Sequence, residues 1–362
     1  MAMHSLTEQK IEQQPLVWEA WSASLPDIAI DIRDWISKRM PQEIWLCGTG
    51  TSAFIADAII EALNGQRNGV TFRNIATTDL VARPQDFFRP GSNLLVVSFG
   101  RSGNSSESVG TLDLLDRLAP QADRLNITCN DKSVLATRAA KGLDQQRVIV
   151  LPEACHDQGF AMTSSYTTML ITALACLGET PIAEIAGRLE ILAASARSIL
   201  LQPLNHPPPR RAVFLGSGPF RGTARESALK VLELTAGKVT TFWDTTLGFR
   251  HGPKAVVDDQ TSVYVFLSSD PLTRKYDDDI ANEIRAQFPK IDVITIGAPL
   301  PGSITPDITL GSKLEDVWNT AVAIIPAQRL SVAWSKSLGL NVDDPFSGRN
   351  LTRVVSNVRL YV

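Results

Sequence analysis

The two halves of this sequence open in the same way, with a short apolar segment that runs into glycines and then into a helical pattern. In the first half this segment is IWLCGTGTSA at 44–53, and in the second half it is AVFLGSGPFRGTA at 212–224. A second apolar segment follows in each half, LLVVSFG at 94–100 and VYVFLSS at 263–269. A pattern repeated in this way indicates one α/β unit used twice.

The order of these segments predicts the class of fold. Short apolar strands that alternate with helices are typical of parallel sheets whose two faces are covered by helices. Further strands are predicted at 125–128, 148–151 and 293–296. The stretch PLNHPPPRR at 203–211 separates the halves, because such a proline-rich stretch can continue neither a helix nor a central strand. We therefore predict an α/β protein whose ligands lie at the carboxyl ends of the strands.

Composition and charge limit the class of protein. The chain has 362 residues, of which 44% are hydrophobic and 20% are charged, and its formal net charge is −3. This composition is that of an ordinary globular protein, and it lacks the strongly basic character of a nucleic-acid-binding domain. The polar N-terminus has no apolar signal-peptide region, and no apolar run has the length of a membrane span. We expect a cytoplasmic protein that binds neither nucleic acid nor membrane.

The cysteines and histidines suggest no disulfide or metal site. The four cysteines are Cys47, Cys129, Cys155 and Cys176, and no two of them have CxxC spacing. So few cysteines in a chain of this length are not a disulfide framework, and we expect reduced, mostly buried thiols. Since there is also no HExxH motif or Cys/His cluster, we expect neither a metal nor another cofactor.

Two loops that follow apolar strands have the composition of a phosphate-binding site. SFGRSGNSSES at 98–108 follows one strand and precedes a helical pattern, and GTGTS at 48–52 follows another strand. A helix N-terminus presents unpaired N–H groups and the positive end of the helix dipole to an anion. The candidate ligands are Gly50, Thr51, Ser52, Arg101, Ser102, Asn104 and Ser105.

Other interpretations of these loops stay open at this point. Asn104, followed three residues later by Glu107, has the form of a capping box, so both loops can be polar turns that only cap helices. The Arg101 side chain can point to the anion or to solvent. Neither loop has the GxxxxGK[ST] pattern of a nucleotide-binding P-loop or the GxGxxG pattern of a dinucleotide site. The second half lacks the serine–glycine turn, so we expect one phosphate site per chain.

A candidate acid–base group lies in RESALKVLELTAGK at 225–238. Glu226, Lys230 and Glu233 are spaced by four and three residues, so they share one face of a helix. A glutamate beside a lysine can stay ionised and act as a base, although an exposed ladder of ion pairs is the alternative interpretation. His251, in the mostly apolar stretch 242–257, is either structural or a group that transfers protons near neutral pH.

Taken together, five segments resemble the sugar isomerase (SIS) superfamily. They are CGTGTS, SFGRSGNS, GFAMTSSYTTML, LGSGPFRGTARESALKVLELTAGK and GFRHGPK, and the resemblance around them covers about residues 30 to 355. The chain is similar in particular to the AgaS group of galactosamine-6-phosphate deaminase/isomerase-like proteins. The resemblance implies two tandem SIS domains, each a flavodoxin-like parallel sheet sandwiched by helices. An N-terminal helical segment at 1–30 would precede a phosphate-binding domain at 31–202 and a catalytic domain at 210–362.

The resemblance also implies roles for single residues. The phosphate ligands would be Thr51, Ser52, Ser102 and Ser105. Glu233 would be the base at C1 and C2 of the sugar, with Lys230 one turn before it. His251 would open the sugar ring, supplied by its own chain or inserted from a neighbouring subunit, which implies a homodimer or a higher homo-oligomer. Arg353 stands where the related synthase has an imine-forming lysine, and arginine, which stays protonated, is expected only to contact the substrate.

The function that the resemblance implies is the cofactor-independent conversion of galactosamine 6-phosphate to tagatose 6-phosphate and ammonia. One alternative is simple isomerisation as a tagatose-6-phosphate ketose/aldose isomerase. Another is a glucosamine-6-phosphate deaminase, whose substrate differs at C4. A non-catalytic sugar-phosphate-binding regulator is a third, although such a protein would not require Glu233 and His251.

Overall fold

Each half of the chain folds around one parallel sheet. The computed structural model describes residues 4–66, 69–89, 91, 93–347, 351–355 and 358–361. The strands of the first sheet are β1 (Glu43–Gly48), β2 (Thr71–Ala76), β3 (Leu94–Gly100), β4 (Asp123–Thr128) and β5 (Gln146–Val150). Those of the second sheet are β6 (Arg211–Leu215), β7 (Thr240–Asp244), β8 (Thr261–Leu267), β9 (Val293–Gly297) and β10 (Ile308–Thr309).

The strand order shows two copies of one fold. It is β2-β1-β3-β4-β5 in the first sheet and β10-β9-β8-β6-β7 in the second, and neighbouring strands are parallel in both sheets. When it is read from β7, the second order repeats the first. This is the flavodoxin-like order, in which the direction of winding reverses between β1 and β3 and between β6 and β8. The prediction of two flavodoxin-like α/β domains is confirmed.

Helices cover both faces of each sheet, which explains why the central strands are continuously apolar. All residues of β3 and all residues of β8 are buried, and a strand buried on both faces does not alternate apolar and polar residues. The helices are α1 (Leu6–Glu12), α2 (Gln14–Ser22), α3 (Leu25–Arg39), α4 (Thr51–Gln66), α5 (Thr77–Ala82), α6 (Ser106–Leu118), α7 (Val134–Thr137), α8 (Ser164–Leu177), α9 (Ile182–Leu201), α10 (Phe220–Leu234), α11 (Pro271–Gln287), α12 (Asp316–Ala323) and α13 (Ile325–Ser337). The four cysteines are free and buried, as expected.

Of the three N-terminal helices, α1 and α2 contact the second half of the chain, whereas α3 packs against α8 and α9. The last of them continues past residue 30 to Arg39. The carboxylate of Asp343 accepts hydrogen bonds from the backbone N–H of Leu6 at 2.8 Å and from that of Thr7 at 2.9 Å. The side-chain amides of Gln14 and Gln328 are joined at 2.9 Å. These contacts make the N-terminal helices part of the packed structure.

The two domains pack together where α4 of the first meets α10 of the second. A Cβ atom placed on Gly222 would lie 2.5 Å from the backbone nitrogen of Ala58. Only a residue without a side chain permits this close approach of two helix backbones. Because α4 and α10 each begin at the carboxyl end of a central strand, the contact brings the second domain's helix to the first domain's ligand-binding edge.

Candidate active site

The loop after β1 leads directly into α4 and forms one wall of a cleft. Gly50 has a φ of +55°, a left-handed conformation that glycine adopts without strain. Thr51 and Ser52 lie in the first turn of α4 and are buried. This is the end of a helix that attracts anions. All three residues line the cleft.

The loop after β3 forms the opposite wall. Ser102 and Ser105 line the same cleft, and Ser105 is the N-cap of α6, its Oγ accepting a hydrogen bond from the Ser108 backbone N–H at 3.3 Å. Gly103 has a φ of +63°, and a Cβ there would lie 2.4 Å from the Ser133 Oγ. The turn therefore requires glycine, and it aims the N-terminus of α6 at the cleft.

Asn104 does not belong to this wall. It is exposed, and its side-chain oxygen accepts a hydrogen bond from the Val134 backbone N–H at 2.8 Å. The predicted capping box of Asn104 and Glu107 is wrong by one residue, because Ser105 takes the capping position. Asn104 instead connects the loop to the start of α7, and the structure does not place it among the residues that line the cleft.

Arg101 turns inward from the second loop. Its side chain is buried and donates to the backbone oxygens of Phe160 at 3.1 Å and Arg353 at 2.9 Å. Burial lowers the pKa of Arg101, and the nearby Asp157 carboxylate opposes that effect. Arg101 thus ties two other segments to the cleft wall while its charge stays within the cleft lining.

The segment 351–355 covers one side of the cleft. Its backbone is held by Arg101, and the Arg353 guanidinium donates to the Asp157 backbone oxygen. Arg353 lines the cleft, where a substrate contact was predicted. One of its donors is used within the protein, in the bond to the Asp157 backbone oxygen. Arg101 and Arg353 both carry guanidinium groups. Because these groups stay protonated, neither residue can act as an amine nucleophile.

The face of α10 that carries the candidate acid–base group closes the cleft from the second domain. The Lys230 Nζ lies 2.6 Å from the Glu233 Oε2 and 3.0 Å from the Thr51 Oγ1. The Lys230 side chain is 1% exposed, whereas that of Glu233 is 19% exposed and lines the cleft. The interpretation as an exposed ladder of ion pairs is therefore wrong. The buried ammonium supports Glu233, which is the carboxylate that solvent and substrate can reach.

Glu226 lies deeper on the same face of α10. Its side chain is fully buried, and its Oε1 is 3.4 Å from the Lys230 Nζ. Burial raises the pKa of Glu226 to about 8, although Lys230 acts in the opposite direction. Burial by itself would lower the pKa of Lys230, but Glu226 and Glu233 together raise it above its usual value. Lys230 is therefore held as an ammonium.

Sequence reasoning missed the contribution of the segment between β5 and α8. Phe160 and Met162 line the cleft. The buried Asp157 carboxylate accepts hydrogen bonds from the backbone N–H groups of Thr163 at 2.8 Å and Ser165 at 2.9 Å, at the start of α8. The signal was present in HDQGFAMTSS at 156–165, where an aspartate precedes a run of hydroxyl residues at a helix start. Such an aspartate satisfies free N–H groups and complements the helix dipole.

His251 lies outside the cleft of its own chain. It is exposed, between the single-turn helical segments Gly248–Arg250 and Pro253–Val256. The turn is anchored to α11 because Arg250 donates to Glu283 at 2.7 Å and Lys254 donates to the same carboxylate at 2.5 Å. Within one chain, the structure does not bring His251 to Glu233, and its predicted role in ring opening depends on a second subunit.

The second domain repeats the hydroxyl contacts of the first at the carboxyl ends of its strands. The Thr49 and Thr77 hydroxyls are in contact in the first domain, and the Ser217 and Thr246 hydroxyls lie 2.6 Å apart in the second. These pairs follow topologically equivalent strands. The repeat therefore extends from the sheets to single side chains.

A carboxylate of the chain itself lies at this position in the second domain. Asp277 of α11 accepts a hydrogen bond from the Ser268 backbone N–H at 2.9 Å and from the Ser217 hydroxyl at 3.3 Å. Ser268 follows β8 and Ser217 follows β6, as the two loops that line the cleft follow β3 and β1. Asp277 is buried, which raises its pKa to about 6. An internal anion thus takes the donors that face a ligand site in the first domain.

Candidate metal ligands lie elsewhere in the part of the chain that the structure describes. Among the described residues, His4, Glu8 and Glu12 are the group that brings three potential ligand atoms within 4.8 Å of one another. They belong to the N-terminal helix region, and none of them lines the cleft. Within the described residues, no helix combines the length and the apolar character that a membrane span needs.

Comparison with known proteins identifies relatives over nearly the full chain. No family model matches the chain. The D-galactosamine-6-phosphate deaminase AgaS of Escherichia coli is 38% identical to it, over 98% of this chain and 95% of that protein. The protein of the same name from Shewanella sp. (strain ANA-3) is 36% identical, over 98% of this chain and 91% of that protein.

A solved structure agrees with these relatives. The tagatose-6-phosphate ketose/aldose isomerase from Escherichia coli has a TM-score of 0.87 and 38% sequence identity, and the match covers 94% of this chain and 95% of that chain. Sequence and fold therefore agree over almost the whole length of both proteins. The chain belongs to the AgaS family of two-domain sugar isomerase (SIS) proteins.

Proposed function

We propose that this protein converts galactosamine 6-phosphate to tagatose 6-phosphate and ammonia without a cofactor. The proposal rests on one cleft that both domains form. The first domain contributes helix N-termini lined by serine and threonine, and the second contributes the Glu233–Lys230 pair. The first group suits a phosphate, and the second suits proton transfer. The names of the relatives supply the sugar.

The phosphate would be anchored by the loops after β1 and β3. Ser102 and Ser105 offer hydroxyl groups from one loop, and Thr51 and Ser52 offer theirs from the other. Their positions at the N-termini of α6 and α4 place the phosphate charge at the positive ends of two helix dipoles. The phosphate would then fix the sugar chain with C1 and C2 toward Glu233.

The reaction would move one proton from C2 to C1, while a second proton passes from the C2 amino group to O1. Glu233 removes the C2 proton of the open-chain aldose, and the proton returns at C1 through an enolamine. The product carries a ketimine at C2, and water hydrolyses it to the ketone and ammonia. Lys230 is held as an ammonium within this carboxyl cluster and contacts Glu233 at 2.6 Å, so it supports the base and does not itself form an imine.

Simple isomerisation is the second candidate, and the same geometry supports it. With a hydroxyl group at C2, the same proton transfer gives the ketose without release of ammonia. The relative of known structure is named a tagatose-6-phosphate ketose/aldose isomerase, which keeps this activity open. A glucosamine-6-phosphate deaminase would need a different contact to the C4 hydroxyl. A non-catalytic regulator is disfavoured because it would not require the buried Lys230 beside Glu233.

Ammonia release from the purified protein tests the proposal. Galactosamine 6-phosphate and then glucosamine 6-phosphate are supplied without added metal or cofactor. We expect release with the first substrate and a loss of roughly 10²- to 10⁴-fold in kcat for Glu233→Gln, with Glu190→Gln, an exposed site on α9, as the matched control. A wild-type protein that binds both sugar phosphates but releases no ammonia would contradict deamination and leave simple isomerisation.

We further propose a cytoplasmic homodimer or higher homo-oligomer in which His251 reaches the cleft of a neighbouring subunit. The support is the exposure of His251 on an anchored turn outside its own cleft. Mixing inactive Glu233→Gln and His251→Asn subunits tests this, because a mixed oligomer would contain one site with both intact residues. Recovery of activity on subunit exchange is expected, and no recovery in a mixed oligomer would contradict the shared site.

A further inference from the structure

Glu226 is part of the cluster around Lys230 but does not reach the cleft. Its side chain is fully buried, whereas Glu233, seven positions later, is 19% exposed. Glu226 is absent from the residues that line the cleft. Any effect of Glu226 on the reaction that we propose for Glu233 must therefore pass through Lys230.

The charges in this cluster do not balance if both glutamates are ionised. Arg101 interacts electrostatically with Glu233, but Lys230 is the cation that acts on the buried Glu226, and it would have to serve both carboxylates. An uncompensated buried charge is strongly unfavourable. Glu233 is the better site for the negative charge, because it accepts a hydrogen bond from Lys230 at 2.6 Å and is partly exposed. The contact of Glu226 with Lys230 is longer, at 3.4 Å, and the hydrogen bonding of Lys230 and Thr51 to this carboxyl group opposes but does not outweigh the effect of burial on its pKa. The remaining proton therefore belongs on Glu226.

The surroundings of Glu226 agree with a neutral carboxyl group. Besides Lys230 and Glu233 on its own helix, it faces Tyr166 of α8, whose buried hydroxyl has no hydrogen-bond partner among the described residues. Burial and then Glu226 raise the pKa of Tyr166 well above its usual value. Asp57 of α4 acts on the same hydroxyl and is itself paired with Arg225 at 2.7 Å. No second cation in this set is free to compensate an ionised Glu226.

We propose that Glu226 is a positioning residue that keeps its own proton and thereby leaves the Lys230 ammonium to Glu233 and Thr51. If Glu226 ionises, its charge competes with Glu233 for the same ammonium. The Lys230 Nζ would then shift from the 2.6 Å contact with Glu233 toward the 3.4 Å contact with Glu226. Loss of the ammonium would disturb the position and the charge of the base, so proton transfer would slow.

Hydrogen exchange at C1 of tagatose 6-phosphate in D₂O measures this step directly. The ketose carries no amino group, so no substrate amine titrates in the range of interest. We expect the wild-type exchange rate to fall as pH rises through the region of about 8 in which Glu226 titrates. Glu226→Gln, which mimics the neutral acid, should remain within roughly tenfold of wild type near neutral pH and should lack this fall.

Two further variants separate positioning from simple packing. Glu226→Leu takes away the carboxyl oxygen that lies 3.4 Å from the buried Lys230 ammonium, an oxygen that the amide of Gln can replace, and should lower exchange by roughly 100-fold at every pH. Asp277→Asn removes another buried carboxyl group, in the second domain outside the cleft, and should keep the wild-type pH profile. A Glu226→Gln profile identical to wild type, or a loss as complete as that of Glu226→Leu, would overturn the proposal.

A substrate-free measurement distinguishes failure of this inference from failure of the proposed function. In protein labelled with ¹³C at the glutamate carboxyl carbon, the resonance that disappears in Glu226→Gln reports the charge of Glu226. We expect it to be neutral at neutral pH and to titrate near pH 8. A resonance that is already ionised near neutral pH would reject the inference, even if the wild-type protein exchanges no hydrogen on any sugar phosphate.

Discussion

The Lys230 Nζ of the second domain lies 3.0 Å from the Thr51 Oγ1 of the first, although the two residues are 179 positions apart in the chain. The same ammonium contacts Glu233 at 2.6 Å. One cation therefore aligns the proposed base of one domain with the proposed phosphate site of the other. The geometry of the reaction that we propose therefore depends on how the two domains pack.

Thr51→Val removes the hydroxyl that accepts from Lys230 while nearly preserving the size of the side chain. A hydrogen bond to a charged group contributes about 1.5–3 kcal/mol, so we expect kcat/KM for the sugar phosphate to fall by roughly 10- to 100-fold. Thr51→Ser keeps the hydroxyl and is the matched control. Steady-state kinetics of both variants check this, and equal losses in the two would show that the hydroxyl is not the important group.

Gly222→Ala should disturb the site without touching it. The new Cβ would lie 2.5 Å from the Ala58 backbone nitrogen, so α10 must move away from α4. We expect the free energy of unfolding to fall by about 1–3 kcal/mol and kcat to fall with it, because Lys230 moves away from Thr51.

Gly187→Ala in α9 is the control for this change. A Cβ on Gly187 would meet no atom within 4 Å, so alanine there should only improve the helix propensity. Urea unfolding and activity assays compare the two variants. A Gly222→Ala protein that is as stable and as active as Gly187→Ala would show that the helices separate at no cost.

Arg101→Met should loosen the segment 351–355. Arg101 donates to the Arg353 backbone oxygen at 2.9 Å and to the Phe160 backbone oxygen at 3.1 Å, and methionine offers no donor to replace these bonds. We expect a higher KM for the sugar phosphate and faster proteolytic cleavage near the C-terminus. Arg117→Met, at an exposed site on α6, is the control. Unchanged cleavage and unchanged KM would argue against this anchoring role.

The stability of the protein should depend on pH through Asp277. Burial raises its pKa to about 6, from a usual value of 3.8. Because the folded state holds this proton more tightly than the unfolded state does, the contribution of Asp277 to stability is present below about pH 4 and is lost as pH rises through about 6. Asparagine cannot ionise. As pH rises over this range, the free energy of unfolding of Asp277→Asn should therefore increase relative to that of wild type, by at most about 3 kcal/mol.

Urea unfolding at several pH values measures this difference. Asp279→Asn is the control, since Asp279 is exposed on the same helix and its charge is solvated in both states. A difference between Asp277→Asn and wild type that stays constant with pH would mean that folding does not change the pKa of Asp277.

The sequence predicts those parts of the fold that depend on local pattern. Residues 94–100 are one mostly apolar run and form β3. The run does not alternate with polar residues because the strand is covered on both faces. The repeat predicts the second sheet in the same way. The loops at Thr51 and Ser105 could also be placed, since glycines and hydroxyl residues between a strand and a helix have few other roles.

Contacts between distant residues decide the rest. The direction of Arg101 depends on carbonyl oxygens 59 and 252 positions away, so the sequence left both directions open. Asn104 and Ser105 are both good N-caps, and only the contact of Asn104 with Val134 shows which of them is free to cap α6. His251 is exposed in a single chain, and its role depends on an assembly that no local pattern describes.

The Asp277 carboxylate has one further consequence. A group that belongs to the same chain as its binding site acts at a fixed effective concentration, which does not fall when free metabolite is scarce. Sugar phosphate from solution must displace this tethered competitor before it can use the Ser268 and Ser217 donors of the second domain. One aspartate thus fills the second copy of the site with a group of the chain itself, which agrees with the proposal that the first domain binds the phosphate and the second supplies the base.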